Sequence, residues 1–95
     1  MTAIAERVHT RQDEIALIES RIVELPDEAI VEIALDDGRR LKGVVSTRPS
    51  LQAFRNRQGE EGMNALLRID DLAQPEQAHY LWLDEITEIV HLGSA

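Results

Sequence analysis

The side chains able to do chemistry in this 95-residue chain are three histidines, several paired carboxylates and one run of cations. His9, His79 and His91 fall in no metal-ligand spacing such as His-Glu-x-x-His. His79 and His91 read as lying on separate strands that could approach each other, but two histidines with no cysteine nearby are poor grounds for a site. Surface or edge positions are expected for all three. The carboxylate pairs Asp36-Asp37, Asp70-Asp71 and Asp84-Glu85 sit where turns or strand ends are expected. Acids there usually serve solvation and local backbone hydrogen bonds. There is no nucleophile elbow and no phosphate-cradling glycine loop. The chain has no cysteine, which excludes disulfides, thiolate zinc sites and cysteine nucleophiles. The expectation is a protein that is not an enzyme and has no cofactor, no metal and no small-molecule substrate.

The cations are distributed in one block. Net charge is −8, which by itself argues against a general nucleic-acid binder. Residues 1–38 hold three basic and ten acidic side chains, and residues 58–95 hold one and eight. Between them, Arg39, Arg40, Lys42, Arg48, Arg55 and Arg57 meet no acid at all. A block of one sign inside a chain of the other asks for a functional explanation. Arg48, Arg55 and Arg57 with Phe54 form a cationic set with one aromatic, able to neutralise phosphates and stack a base. The alternative is that Phe54 and Leu51 fold back to cap the domain. The arginines would then pair with carboxylates of the helix or of a neighbouring subunit. A single aromatic is thin for a nucleic-acid surface, which usually shows several.

These residues have to be positioned by one domain, since 95 residues make one core. Such a chain buries roughly 60–65% of its unfolded surface, and oligomerisation is an easy route to further stability. No apolar run approaches the length of a membrane span, and the N-terminus lacks the basic start and apolar core of a secretory signal, so the cytoplasm is the expected compartment. Residues 4–25 read as an amphipathic helix with Ile4, Val8, Ile15, Ile18, Ile22 and Leu25 on one stripe. Arg11 interrupts the stripe, and Thr10 with Asp13 offers an N-cap, so the ordered helix is expected to start near residue 11 if that cap is used. Pro26 ends it. The helix either covers the sheet or serves as an interaction helix.

The period then changes to two. Val31, Ile33 and Leu35 alternate with Glu32 and Ala34, the Asp37-Gly38 turn follows, and Leu41, Gly43 and Val45 return. Gly43 suits a sharp bend or a close backbone approach. Residues 46–62 read as a long loop, with a short helical turn joining Leu51 and Phe54. A third strand is expected at Met63–Ile69, a fourth at Ala78–Leu83 and a fifth at Ile86–Leu92, placing the sheet at about 29–92. The fold class is mostly β with an N-terminal α-helix and a five-stranded, strongly bent antiparallel sheet. Tyr80 and Trp82 share one face of the fourth strand. If Leu81 and Leu83 fill the core, the two rings either form an exposed interface or lie under the helix.

The strand order and its glycines resemble the Sm-like family. Its first motif runs as alternating apolar residues, then Leu-x-x-Gly-x-x-apolar-x-Gly, then an acid, two spacers, Met-Asn and a leucine three residues on. Val31, Ile33, Leu35, Gly38, Leu41 and Gly43 match the first part, and Glu60, Met63, Asn64 and Leu67 the second, with glutamate where aspartate is usual. The match covers roughly residues 29–70. It implies an SH3-like or Sm-like small barrel. The chain also resembles a group of short bacterial Sm-like variants of unassigned function, and fits that group better than authentic ring-forming Sm proteins. Two departures stand out. The connection between strands two and three is far longer than is typical, and the second motif, an apolar residue followed by a basic residue and glycine, is replaced by Leu83-Asp84-Glu85-Ile86. In the family that loop contributes to a basic pocket for RNA, whereas Asp84-Glu85 would repel phosphate.

Two functions follow as expectations. The favoured one is a protein-interaction and self-association module, a homo-oligomer with a dimer preferred over a ring, using Tyr80 and Trp82. The other is single-stranded RNA binding through residues 39–57 and Asn64, the position that in Sm-like RNA binders contacts a base.

Overall fold

The computed structural model describes residues 4–94 of the chain. Helix α1 is Gln12–Val23, later and shorter than the 4–25 stripe suggested. Ile18 and Ile22 bury its inner face, and Leu25 just beyond it is fully buried. Arg11, not Thr10, occupies the N-cap position and makes no side-chain cap. Asp13 and Glu14 instead place negative charge at the positive end of the helix dipole. Ile4 and Val8 belong to no helix. They lie on an extended strap, residues 4–9, which bridges to two strands described below.

The central sheet has strands β1 (Ala29–Leu35), β2 (Arg40–Val45), β5 (Leu66–Asp71), β6 (Ala78–Trp82) and β7 (Ile86–Ser94), in the order β6-β5-β2-β1-β7. All its neighbours are antiparallel. The period-two reading of β1 holds: Val31, Ile33 and Leu35 are buried and pack with Ile18, Ile22 and Leu25 of the helical segment. Gly38 takes φ +91 in the β1–β2 turn, a conformation that favours glycine. Gly43 marks the bend: a Cβ there would sit 2.6 Å from the Asp70 carbonyl of β5. The sheet is strongly bent but not closed, because β6 and β7 form its two edges without pairing to each other.

The segment expected to be a loop contains a second, two-stranded sheet. Strand β3 (Gln52–Arg55) pairs with β4 (Glu61–Asn64) in the register Phe54↔Gly62. The Leu51–Phe54 helical turn is absent, and Phe54 sits on a strand. Asn56 builds the connecting turn: its Oδ1 accepts the Gln58 and Glu60 amides, and its Nδ2 donates to Glu60. The expected third strand is consequently two. It breaks at Ala65, whose carbonyl accepts the Leu83 amide and whose own amide donates to the Asn64 side chain.

Candidate functional site

The basic stretch divides into two halves. Arg39, Arg40 and Lys42 stand among carboxylates on the β1–β2–β7 surface. Arg40 reaches Glu32 at 2.7 Å and Glu88 at 2.8 Å, Lys42 lies 3.9 Å from Glu32, and Arg39 meets Asp37 at 2.7 Å. The Arg40 hydrogen bond holds Glu32 below the ordinary carboxylate range, and the Arg39 backbone N–H does the same to Asp37. In return Glu32, and then Glu88, raise the Arg40 guanidinium. These cations are neutralised within the chain. Of the other half, Arg57 reaches Glu6 at 3.4 Å. Arg48 and Arg55 are exposed, and among the described residues neither has a carboxylate within ion-pair distance.

The remaining members of the expected RNA set are turned inward. Phe54 is only 6% exposed and meets Trp82 edge-on, with centroids 5.0 Å apart at 90°. Its ring is used for packing and is not presented for stacking. Asn64 is fully buried; its Nδ2 donates to the Arg7 carbonyl at 2.9 Å and its Oδ1 accepts the Ala65 amide at 2.8 Å. That amide pins the strap onto β4. Trp82 is therefore half-buried with Phe54 against it, while its companion Tyr80 is 62% exposed.

The sequence reading missed the strap and what holds it. Ala5 donates to the Arg55 carbonyl, and His9 and Met63 exchange both backbone hydrogen bonds. Gly62 makes room for this, since a Cβ there would lie 2.9 Å from the His9 backbone and from Val8. Asp84, in the short 3-10 turn Leu83–Glu85, is the polar anchor. It lies 2.9 Å from His9 Nε2 and 3.3 Å from Arg7, and its side chain is 7% exposed. Glu14 of α1 flanks the other histidine nitrogen at 3.5 Å, and Asp36 takes a further contact from Arg7. Burial, then the charges of Asp84 and Asp36, hold Glu85 above the usual carboxylate value. The acidic turn in place of the second Sm motif thus grips the chain's own N-terminal segment. The one visible sign was Arg7 and His9 preceding a helix, but nothing in their spacing points to residue 84.

His79 and His91 lie on the two opposite edge strands. His79 pairs with Asp71 at 3.0 Å, and that hydrogen bond, with backbone amides of Gln74 and Ala73, keeps Asp71 below its ordinary value. Among the described residues no three His, Asp or Glu side chains gather as a metal site requires. No described helix is long and apolar enough to cross a membrane.

Comparison with known proteins agrees with this architecture. No curated protein matches the chain. The crystal structure of XC5848 from Xanthomonas campestris, described as adopting a novel variant of the Sm-like motif, is similar at 37% identity with a TM-score of 0.88. The likeness covers 95% of this chain and 97% of that one. Residues 2–92 match the family described as "Domain of unknown function (DUF3247)". With the bent five-stranded sheet, the preceding helix and these two matches together, the chain belongs to the DUF3247 family and has an Sm-like fold.

Proposed function

We propose that this protein is a non-enzymatic, cytoplasmic interaction module that associates with a second copy of itself through the free edge of β7. The observation that carries this reading is the character of that edge. Strand β7 runs nine residues, contains no proline and no lysine, and exposes Val90 (39%) and Leu92 (48%). Its β1 side is paired except at Thr87 and Leu92, and among the described residues no backbone group bonds to its other side, which leaves donors and acceptors there unused. Long, apolar, unguarded edges are templates for pairing with another chain. Two register shifts bend the strand near its ends, but Glu88 to His91 between them is regular.

A dimer is favoured over a ring by the inequality of the two edges. A ring must pair β6 of one copy with β7 of the next, whereas a two-fold contact needs β7 alone. β6 is only five residues long, against nine in β7. Tyr80 then adds a separate exposed patch instead of the centre of the contact. RNA binding through residues 39–57 and Asn64 has less behind it, because Asn64 and Phe54 are committed within the chain. Size-exclusion chromatography with light scattering, with and without short uridine-rich RNA, tests the reading. A dimeric mass independent of RNA is expected for the wild type, and a monomer for Val90→Lys. A wild-type monomer at high concentration contradicts the proposal.

A further inference from the structure

Arg48, which among the described residues has no carboxylate within ion-pair distance, lines a distinct surface depression. It has a volume of about 300 Å³ and is formed by the β2–β3 connection against β5. Arg48 and Arg68 both line it, with Thr47, Ser50 and Gln52. The chain has 18 acidic residues, yet none contributes to this lining. That exclusion carries weight in a protein of net charge −8, where a depression chosen at random would be expected to include a carboxylate.

The depression is also pre-organised. The Ser46 amide and hydroxyl both donate to the Arg68 carbonyl, at 3.2 and 3.1 Å, tying the connection to β5. The Arg48 backbone amide donates to Asp27, which fixes the main chain and leaves the guanidinium free. Pro49 is buried and stiffens the next position. Asp70 lies 3.3 Å from the Arg68 guanidinium, but that side chain remains 52% exposed with donors to spare. Directly across from Arg68 on β6 is Tyr80, whose ring stands 62% in solvent. Opposed residues on neighbouring strands are within reach of one ligand.

We propose that this depression binds a phosphoryl group, held by the Arg48 and Arg68 guanidiniums and by the Thr47 and Ser50 hydroxyls. When the group belongs to a nucleotide, Tyr80 stacks on the base. Two arginines and neutral hydroxyl donors match the tetrahedral acceptor set of a phosphate, and guanidinium forks bind it in directed pairs. The site is independent of the β7 edge and does not use Asn64 or Phe54.

The test is a titration of the full chain at low ionic strength, followed by amide nuclear magnetic resonance, with inorganic phosphate and separately with uridine 5′-monophosphate. Saturable shifts are expected at residues 46–50 and 68 with both probes, and at Tyr80 with the nucleotide only. Arg48→Ala, whose side chain has no polar partner among the described residues, should raise both dissociation constants about tenfold or more. Tyr80→Ala should weaken the nucleotide alone, and Arg57→Ala should change neither. The proposal is overturned if phosphate gives no saturable shift at residues 46–50 against a chloride control of equal ionic strength. Unchanged affinity in Arg48→Ala overturns it equally. A nucleotide that leaves Tyr80 unmoved removes the stacking contact.

Discussion

The five-stranded sheet and the strap-and-hairpin lobe are held together by different physics. The sheet is built on Val31, Ile33, Val45, Leu67 and Ile69, all fully buried and apolar. The lobe is built on Asn64, Asp84, Arg7, His9 and the space at Gly62. Apolar burial is non-directional and tolerates small adjustments. Polar anchoring of a strap fails as a unit when one partner is lost, because the remaining groups are left buried and unpaired. The comparison implies a stable sheet carrying a lobe that can be released separately.

The largest effect should come from the sheet. Ile33→Ala empties a fully buried position next to the helix and should cost about 2–5 kcal/mol by denaturant unfolding. It should act on the whole domain. Asp84→Ala removes the carboxylate facing both Arg7 and His9 and should cost roughly 1.5–3 kcal/mol. Here hydrogen exchange is the sharper readout. Amides of Ala5, His9 and Met63 should lose protection while those of β1 and β2 keep theirs. Uniform loss across the sheet would break the comparison.

Gly62→Ala places a methyl 2.9 Å from the His9 backbone and should cost about 1–3 kcal/mol, with the same local loss of protection. The smallest effect belongs to Glu85, whose carboxyl is held above its ordinary value by burial and by Asp84 and Asp36. A raised carboxyl favours the folded state below its unfolded value of ~4.3, and that advantage is lost as pH rises through the folded value. Glu85→Gln should therefore stabilise the protein near neutral pH by only about 0.2–0.5 kcal/mol, since the group is partly solvated. Its unfolding midpoint and that of the wild type should converge as pH falls toward ~4. A gap that persists there contradicts the assignment.

The same contrast explains what could be read in the sequence. The sheet announces itself through the alternation of Val31, Ile33 and Leu35 and through glycines at Gly38 and Gly43, all local signals. The lobe has no local signal. Gln52-Ala53-Phe54-Arg55 holds one large apolar residue in four, too little for a period, and it becomes a strand because Trp82, Met63 and the strap meet it. Asn64 illustrates the limit of resemblance. Its position fits the Sm pattern, but its amide binds the Arg7 carbonyl, a partner 57 residues away. Asp84 reads as a turn acid and acts as a tether for the same reason: its partners are distant in sequence.

The proposed dimer rests on neither the core nor the lobe but on the edge of β7. Hydrogen exchange of the wild-type protein across a dilution series tests it most directly. Outward-pointing amides between Glu88 and Leu92 should be protected at high concentration and lose that protection on dilution, in step with the fall in mass from dimer to monomer. Fast exchange of those amides at every concentration, with β1 protected throughout, would contradict the account.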